Sequence, residues 1–200
     1  MKRGEYAKTA ERRRMILETA MEVFAESGFR GASIREIAAR MNMTDTGVLH
    51  HFGGKVKLLL EVIKQKEAED SAQLADPFAR RLVARNAERG GTVRLFTTLS
   101  AEATDPEHPA HEHFVQRYAR LRHEITERFT AMADADAIPR DIDPAMAARL
   151  MLAVMDGLQL QWLLDPAMDM DEAYGDFIER YFGPEVARSS AIDWPAQPAI

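Results

Sequence analysis

Ser33-Ile34-Arg35-Glu36-Ile37-Ala38-Ala39-Arg40, then Met41-Asn42-Met43, then Thr44-Asp45-Thr46-Gly47-Val48-Leu49-His50-His51-Phe52 and Gly53-Gly54-Lys55 is the stretch that decides the fold. Ser33 followed by Glu36 is a capping box, which occupies free backbone N–H groups and starts a helix. Ile34, Ile37 and Met41 recur at helical spacing and give it one apolar face. Ala38 is small and lets a second helix approach closely. Asn42 falls where the chain must turn sharply and tolerates a left-handed backbone. Met43 turns inward, Thr44 caps a second helix, and Val48 and Phe52 supply its buried side. The pattern predicts a helix-turn-helix, a shape whose second helix enters the DNA major groove. The outward residues Thr44, Asp45, Thr46, Gly47, His50 and His51 are small or polar and suited to base edges or phosphates. Ser33, Arg35 and Lys55 flank them. An ordinary helical hairpin in a helical core is the plain alternative, and the flanks argue against it.

Upstream, Ile16, Ala20, Val23 and Phe24 stripe a helix from about Thr9 to Ser27 that Gly28 stops. Downstream, Gly53-Gly54 ends the second motif helix. A new one opens at Lys55 with Leu58, Leu59, Val62 and Ile63 as its apolar face.

This arrangement resembles the N-terminal domain of TetR-family transcriptional regulators over about residues 9–63. The resembling residues are Ile16–Phe24, Ala25-Glu26-Ser27-Gly28-Phe29, Ser33-Ile34-Arg35-Glu36-Ile37-Ala38 and His51-Phe52-Gly53-Gly54-Lys55. The resemblance implies an all-α protein. A three-helix helix-turn-helix domain (1–54) would bind DNA, a helical domain (55–182) would bind a ligand and dimerise, and a flexible tail (183–200) would follow. It also implies a repressor released from its DNA operator by a small molecule. Two departures concern the operator. The family often has a basic residue where this chain has Asp45, and often Tyr where it has Leu49. The DNA sequence read by this chain therefore need not be that of its relatives.

Charge agrees with a DNA-binding N-terminal end. Residues 1–58 hold eleven Lys and Arg against seven Asp and Glu, a net +4 in a chain of −6, which leaves −10 for residues 59–200. A basic end on an acidic protein is the footprint expected for phosphate binding. Lys2, Arg3 and Lys8 read as a flexible arm, and part of Arg12-Arg13-Arg14 as a solvated helix face.

Two hundred residues suffice for a two-part helical protein with a sizeable core. The absence of cysteine excludes disulfides and thiolate metal sites and suits a cytoplasmic protein. The polar N-terminus is not a signal segment, and no apolar run reaches membrane-spanning length.

Beyond residue 63 the periodicity predicts further helices. They lie near 77–89, ended by Gly90-Gly91, and over about 92–104, 110–135, 144–164 and 170–182. Asp143-Pro144 and the Asp169/Glu172 pair are helix-opening signals. The helix at 144–164 is apolar around most of its circumference and needs cover on more than one side. With 170–182 it is expected to form a four-helix interface with a second copy. Two recognition helices one DNA turn apart would then read a near-palindromic duplex.

The expected effector is a small, largely apolar molecule. Its candidate walls are Phe96, Leu99, Phe114, Tyr118, Leu121, Met151, Met155 and Trp162, with Glu102, Arg117 and Gln159 to orient a polar group. For any single one of these residues, plain core packing is the stronger reading. His108, His111 and His113 suggest a metal-responsive regulator as an alternative, yet Pro109 separates the first two and no metal site is assigned. No cofactor is implied. A protein-interaction module on the same fold is a further alternative. An enzyme is disfavoured: there is no phosphate-cradling Gly-rich loop, no Gly-x-Ser-x-Gly elbow and no His-Glu-x-x-His.

Overall fold

A computed structural model describes residues 3–70 and 78–188. Ten α-helices and no strand occur among them: α1 Arg3–Gly31, α2 Ile34–Arg40, α3 Asp45–Phe52, α4 Lys55–Asp70, α5 Arg80–Ala87, α6 Gly90–Glu102, α7 His111–Asp134, α8 Pro144–Leu164, α9 Met170–Phe182 and α10 Pro184–Arg188.

The chain forms two compact units. One is built within Met1–Glu69 and Gly91–Glu112, the other within Asp70–Gly90 and His113–Ile200. These units do not follow a cut at residue 54, because α4 and most of α6 cluster with the N-terminal helices. The first unit has a buried apolar core. Ile16, Phe24, Ile37, Val48, Leu58 and Leu95 are fully buried. In the second, Phe78, Phe129 and Phe182 pack as a ring cluster with centroids 5.0–5.8 Å apart. Leu121, Ile125, Met151, Met155 and Tyr174 join the same core.

Local capping explains most boundaries. Thr44, Asp143 and Asp169 each accept a backbone N–H of their helix's first turn. Gly53 ends α3 in the left-handed conformation (φ 74°) that a residue with a side chain resists.

Three expectations are corrected. Helix α1 starts at Arg3 rather than near Thr9, so Arg3 and Lys8 belong to a helix and not to a loose arm. After Gly4, which sits in the first turn, Glu5, Ala7, Lys8, Ala10 and Glu11 are good helix formers with no further Gly or Pro to interrupt them. Lys2 lies outside the described residues. Gly90-Gly91 begins α6 instead of closing α5, which ends at Ala87. At Gly90 the Trp162 ring comes within 3.3 Å of where a β-carbon would sit, a reason for glycine unrelated to helix termination. Pro184–Arg188 form α10, proline at the first helical position being well tolerated, where composition suggested a loose tail. Residues 189–200, including Trp194, lie outside the described residues.

Candidate nucleic-acid interface

The helix-turn-helix is assembled by its own sequence. Ser33 Oγ accepts the Glu36 N–H at 3.1 Å and Thr44 Oγ1 accepts the Gly47 N–H at 3.2 Å. The expected capping box is half formed: the Glu36 carboxylate accepts from Arg40 Nη2 at 2.8 Å and makes no hydrogen bond back to the Ser33 N–H. Asn42 makes the turn with φ 52°. Ile37, Ala38, Val48 and Phe52 face inward. A β-carbon at Gly47 would sit 3.2 Å from Met43 Cε, a tight contact with the end of a flexible side chain.

The outer face of the motif carries Ser33, Arg35, Thr44, Asp45, Thr46, Leu49 and His50, all exposed. Gly47 and His51 are half-buried. Burial, together with the neighbouring His50, Arg12 and Arg13 charges, holds the His51 imidazole below the ordinary histidine range and so keeps it neutral near pH 7. Lys55 is also half-buried, with Nζ 4.4 Å from the Phe29 ring centroid, so its ammonium is turned onto an aromatic face.

Two arginines absent from the sequence-based site belong beside it. Arg13 donates to the His51 carbonyl at 3.0 Å and to Glu61 Oε2 at 2.6 Å, and its guanidinium lies over the Phe52 ring. It fastens the end of α3 to α1 and α4. Arg12 lines a groove of about 420 Å³ with Met15, Met41, Asn42, Met43, Thr44 and Gly47. The only hint in the sequence was the Arg12-Arg13-Arg14 run. Arg14 is engaged on its own helix by Glu11 and Glu18, which leaves the solvated-face role to it.

The residues named for an effector divide between the units. Phe96, Leu99 and Glu102 lie in the first. Leu99 is fully buried there, and Glu102 accepts the Phe29 N–H at 2.7 Å. In the second unit Phe114, Leu121, Met151 and Met155 are buried, while Arg117, Tyr118, Gln159 and Trp162 are half-buried. Tyr118 donates to Asp156 Oδ2 at 2.7 Å. Crowding by surrounding protein raises the Asp156 carboxyl above the ordinary range, although the residue keeps accessible surface; the Tyr118 hydrogen bond and the Arg117 charge oppose that rise. Asp156 was missed, and its signal was a lone carboxylate within the apolar run of α8.

The three histidines hold separate structural posts. His108 Nδ1 accepts the Ala110 N–H at 3.2 Å, His111 Nδ1 lies 2.8 Å from the Ala103 carbonyl, and His113 packs edge-on to Phe114. No cluster of three metal-ligating side chains occurs among the described residues. No helix there is long and apolar enough to cross a membrane.

Comparison with known proteins bears on this geometry. Residues 16–62 match the model of bacterial regulatory proteins of the tetR family, and residues 59–183 match that of the BetI-type transcriptional repressor C-terminal domain. The chain is 27% identical over 158 residues to the transcriptional repressor AcnR of Corynebacterium efficiens, covering 75% of this chain and 81% of that one. It is 27% identical over 161 residues to the transcriptional regulator UidR of Escherichia coli, covering 73% and 79%. Among solved structures, AibR in complex with isovaleryl coenzyme A and operator DNA superposes with a TM-score of 0.70 at 23% identity, covering 86% of this chain and 99% of that one. A regulator from Saccharomonospora viridis in complex with choline gives 0.68 at 23% identity, covering 86% and 98%. Both share the fold.

Proposed function

Since this chain belongs to the TetR family of bacterial regulatory proteins, and is a transcriptional regulator rather than an enzyme, we propose how its residues divide the work. Residues 1–54 read DNA, residues 55–182 bind the effector and dimerise, and the protein is a repressor released by a small, largely apolar molecule. One observation carries the DNA-reading assignment. The solvent-facing side of α3 bears Thr44, Asp45, Thr46 and His50, while Val48 and Phe52 anchor its other side in the core. A helix presented this way places short polar groups at base edges, and Arg35 beside it meets phosphate. His51 and Lys55, half-buried, contribute less than the exposed positions. Operator binding implies a cytoplasmic location in a bacterium.

The dimer reading is supported by α8. At 100° per residue, exposed Met146, Leu150, Leu160 and Leu164 fall within about 40° of one line along the helix. Ala153 and Gly157 lie on the same line, and nothing comes within 4 Å of where a Gly157 β-carbon would be. A stripe that is apolar at both ends and small in the middle suits close packing against a second copy.

Selection of bound duplexes from random DNA tests the function. The expected product is a near-palindrome whose affinity falls steeply with added salt. Thr46→Ala and Arg35→Ala should each weaken it. Equal affinity for selected and random DNA would overturn the proposal.

A further inference from the structure

We propose that Glu102 is a positioning residue for the DNA-reading helices, its carboxylate fixing the Gly28–Phe29 corner where α1 hands the chain to α2. The corner begins as a backbone problem. Gly28 leaves helical geometry with φ 66° and ψ −179°, which takes the next N–H out of the helical ladder. A half-buried amide donor needs another acceptor. Phe29 N–H finds it in Glu102 Oε2 at 2.7 Å, on the last residue of α6 and 73 positions along the chain.

Gly28 and Glu102 are matched in shape. A β-carbon at residue 28 would overlap the Glu102 carboxylate, so the glycine supplies both its positive φ and the room for that side chain. The surroundings hold the carboxylate in place. His108 is buried, and its Nε2, with no hydrogen-bond partner, faces Glu102 Oε2 at 3.5 Å. Its Nδ1 accepts the Ala110 N–H, so in the neutral ring the proton sits on Nε2, the nitrogen nearer Glu102. Arg30 pairs with Asp105, a second tie between the same two segments.

The corner reaches both ends of the helix-turn-helix. Phe29 leads through Ala32 into the Ser33 cap of α2. Its ring lies edge-on to His108 at 5.2 Å and beneath the Lys55 ammonium, which follows the Gly53-Gly54 exit of α3. Burial of Lys55 weakens its hold on its proton, and the Glu102 charge counters that loss. One carboxylate thus sets where the chain enters the motif and steadies the cation at its exit.

The inference rests on α2 and α3 being the operator reader, so its test has a readout that does not use DNA. In the full chain, Glu102→Ala and the space-filling Glu102→Leu should lower affinity for the selected operator at least about fivefold, the consequence of orphaning one donor. Hydrogen exchange at the Phe29 amide should speed up while helical content is retained. Glu102→Gln keeps an acceptor oxygen and should restore affinity to within about twofold. Unchanged operator affinity in Glu102→Leu, or a Phe29 amide still protected in it, would overturn the proposal. If neither acceptor-less variant folds, the unsubstituted protein decides: a Phe29 amide exchanging at the rate of an unstructured peptide also overturns it. If the unsubstituted protein selects no duplex, the operator reading fails, and exchange at Phe29 still judges Glu102.

Discussion

Arg13 grips the end of the recognition helix: its guanidinium carbon lies 4.3 Å from the centre of the Phe52 ring while Nη1 donates to the carbonyl of His51. A third contact, to Glu61, draws α4 into the same knot. An arginine from a basic run that reads from sequence as partly a solvated helix face therefore holds α3 in place.

Arg13→Ala should cost about 1–2 kcal/mol of stability, the sum expected for a cation–π contact and a half-exposed ion pair. It should also weaken operator binding. Arg13→Lys should recover only part, because an ammonium lacks the forked donors. Denaturant titration and operator affinity, measured on the same samples, check this. Full recovery by lysine would show that charge alone matters.

Tyr174 is fully buried and its hydroxyl donates to the Phe78 carbonyl at 2.8 Å, 96 positions away. Tyr174→Phe leaves that carbonyl without this donor and should destabilise the fold by about 1–3 kcal/mol with an unchanged denaturant slope. A cost under about 0.5 kcal/mol would mean another donor takes over.

His108 gives the stability a pH dependence of definite sign. Burial chiefly, with the Arg30 charge adding, pushes its imidazole below the ordinary range against the pull of Glu102 and Asp105. The unfolded chain therefore binds a proton at higher pH than the folded one. The stabilisation is complete above the ordinary histidine value, about 6.5, and declines as pH falls from there toward the depressed folded value. Unfolding free energies between pH 7.5 and about 5 should fall more steeply for the unsubstituted protein than for His108→Leu. Parallel curves would remove His108 as the cause.

Asp156 works in the opposite sense, its carboxyl raised by the protein crowded around it although the residue itself is exposed. Folded and neutral, it favours low pH, and its charge destabilises the fold as pH rises through the raised value. Asp156→Asn keeps an acceptor for the Tyr118 hydroxyl and should be more stable than the unsubstituted chain at pH 7. Thermal melting at pH 4 and pH 7 checks it, with the difference expected to shrink at the lower pH.

Leu160→Asp places a charge on the exposed apolar line of α8. Sedimentation should show a shift to monomers with helical content retained, and operator affinity should drop by at least about tenfold as the two-site grip is lost. A dimer that persists would put the interface elsewhere.

What the sequence determined alone is what neighbouring residues settle between themselves. Ser33, Asn42, Thr44 and Gly53 write the helix-turn-helix within about twenty residues. Asp143-Pro144 and Asp169 mark the starts of α8 and α9. Caps, left-handed turns and apolar periodicity act over one or two helical turns, so they are legible without a structure. Tertiary structure decided the rest, because those choices depend on partners far along the chain. It turned Lys55 onto Phe29, spent Arg13 on His51, Phe52 and Glu61, and assigned Glu102 to an amide 73 residues away. No local pattern distinguishes an arginine that meets solvent from one that clamps a helix, or a glutamate facing a ligand from one closing a backbone corner. Only the packing of α1, α4 and α6 around the motif makes that distinction, since it determines which polar groups lose water and must find each other.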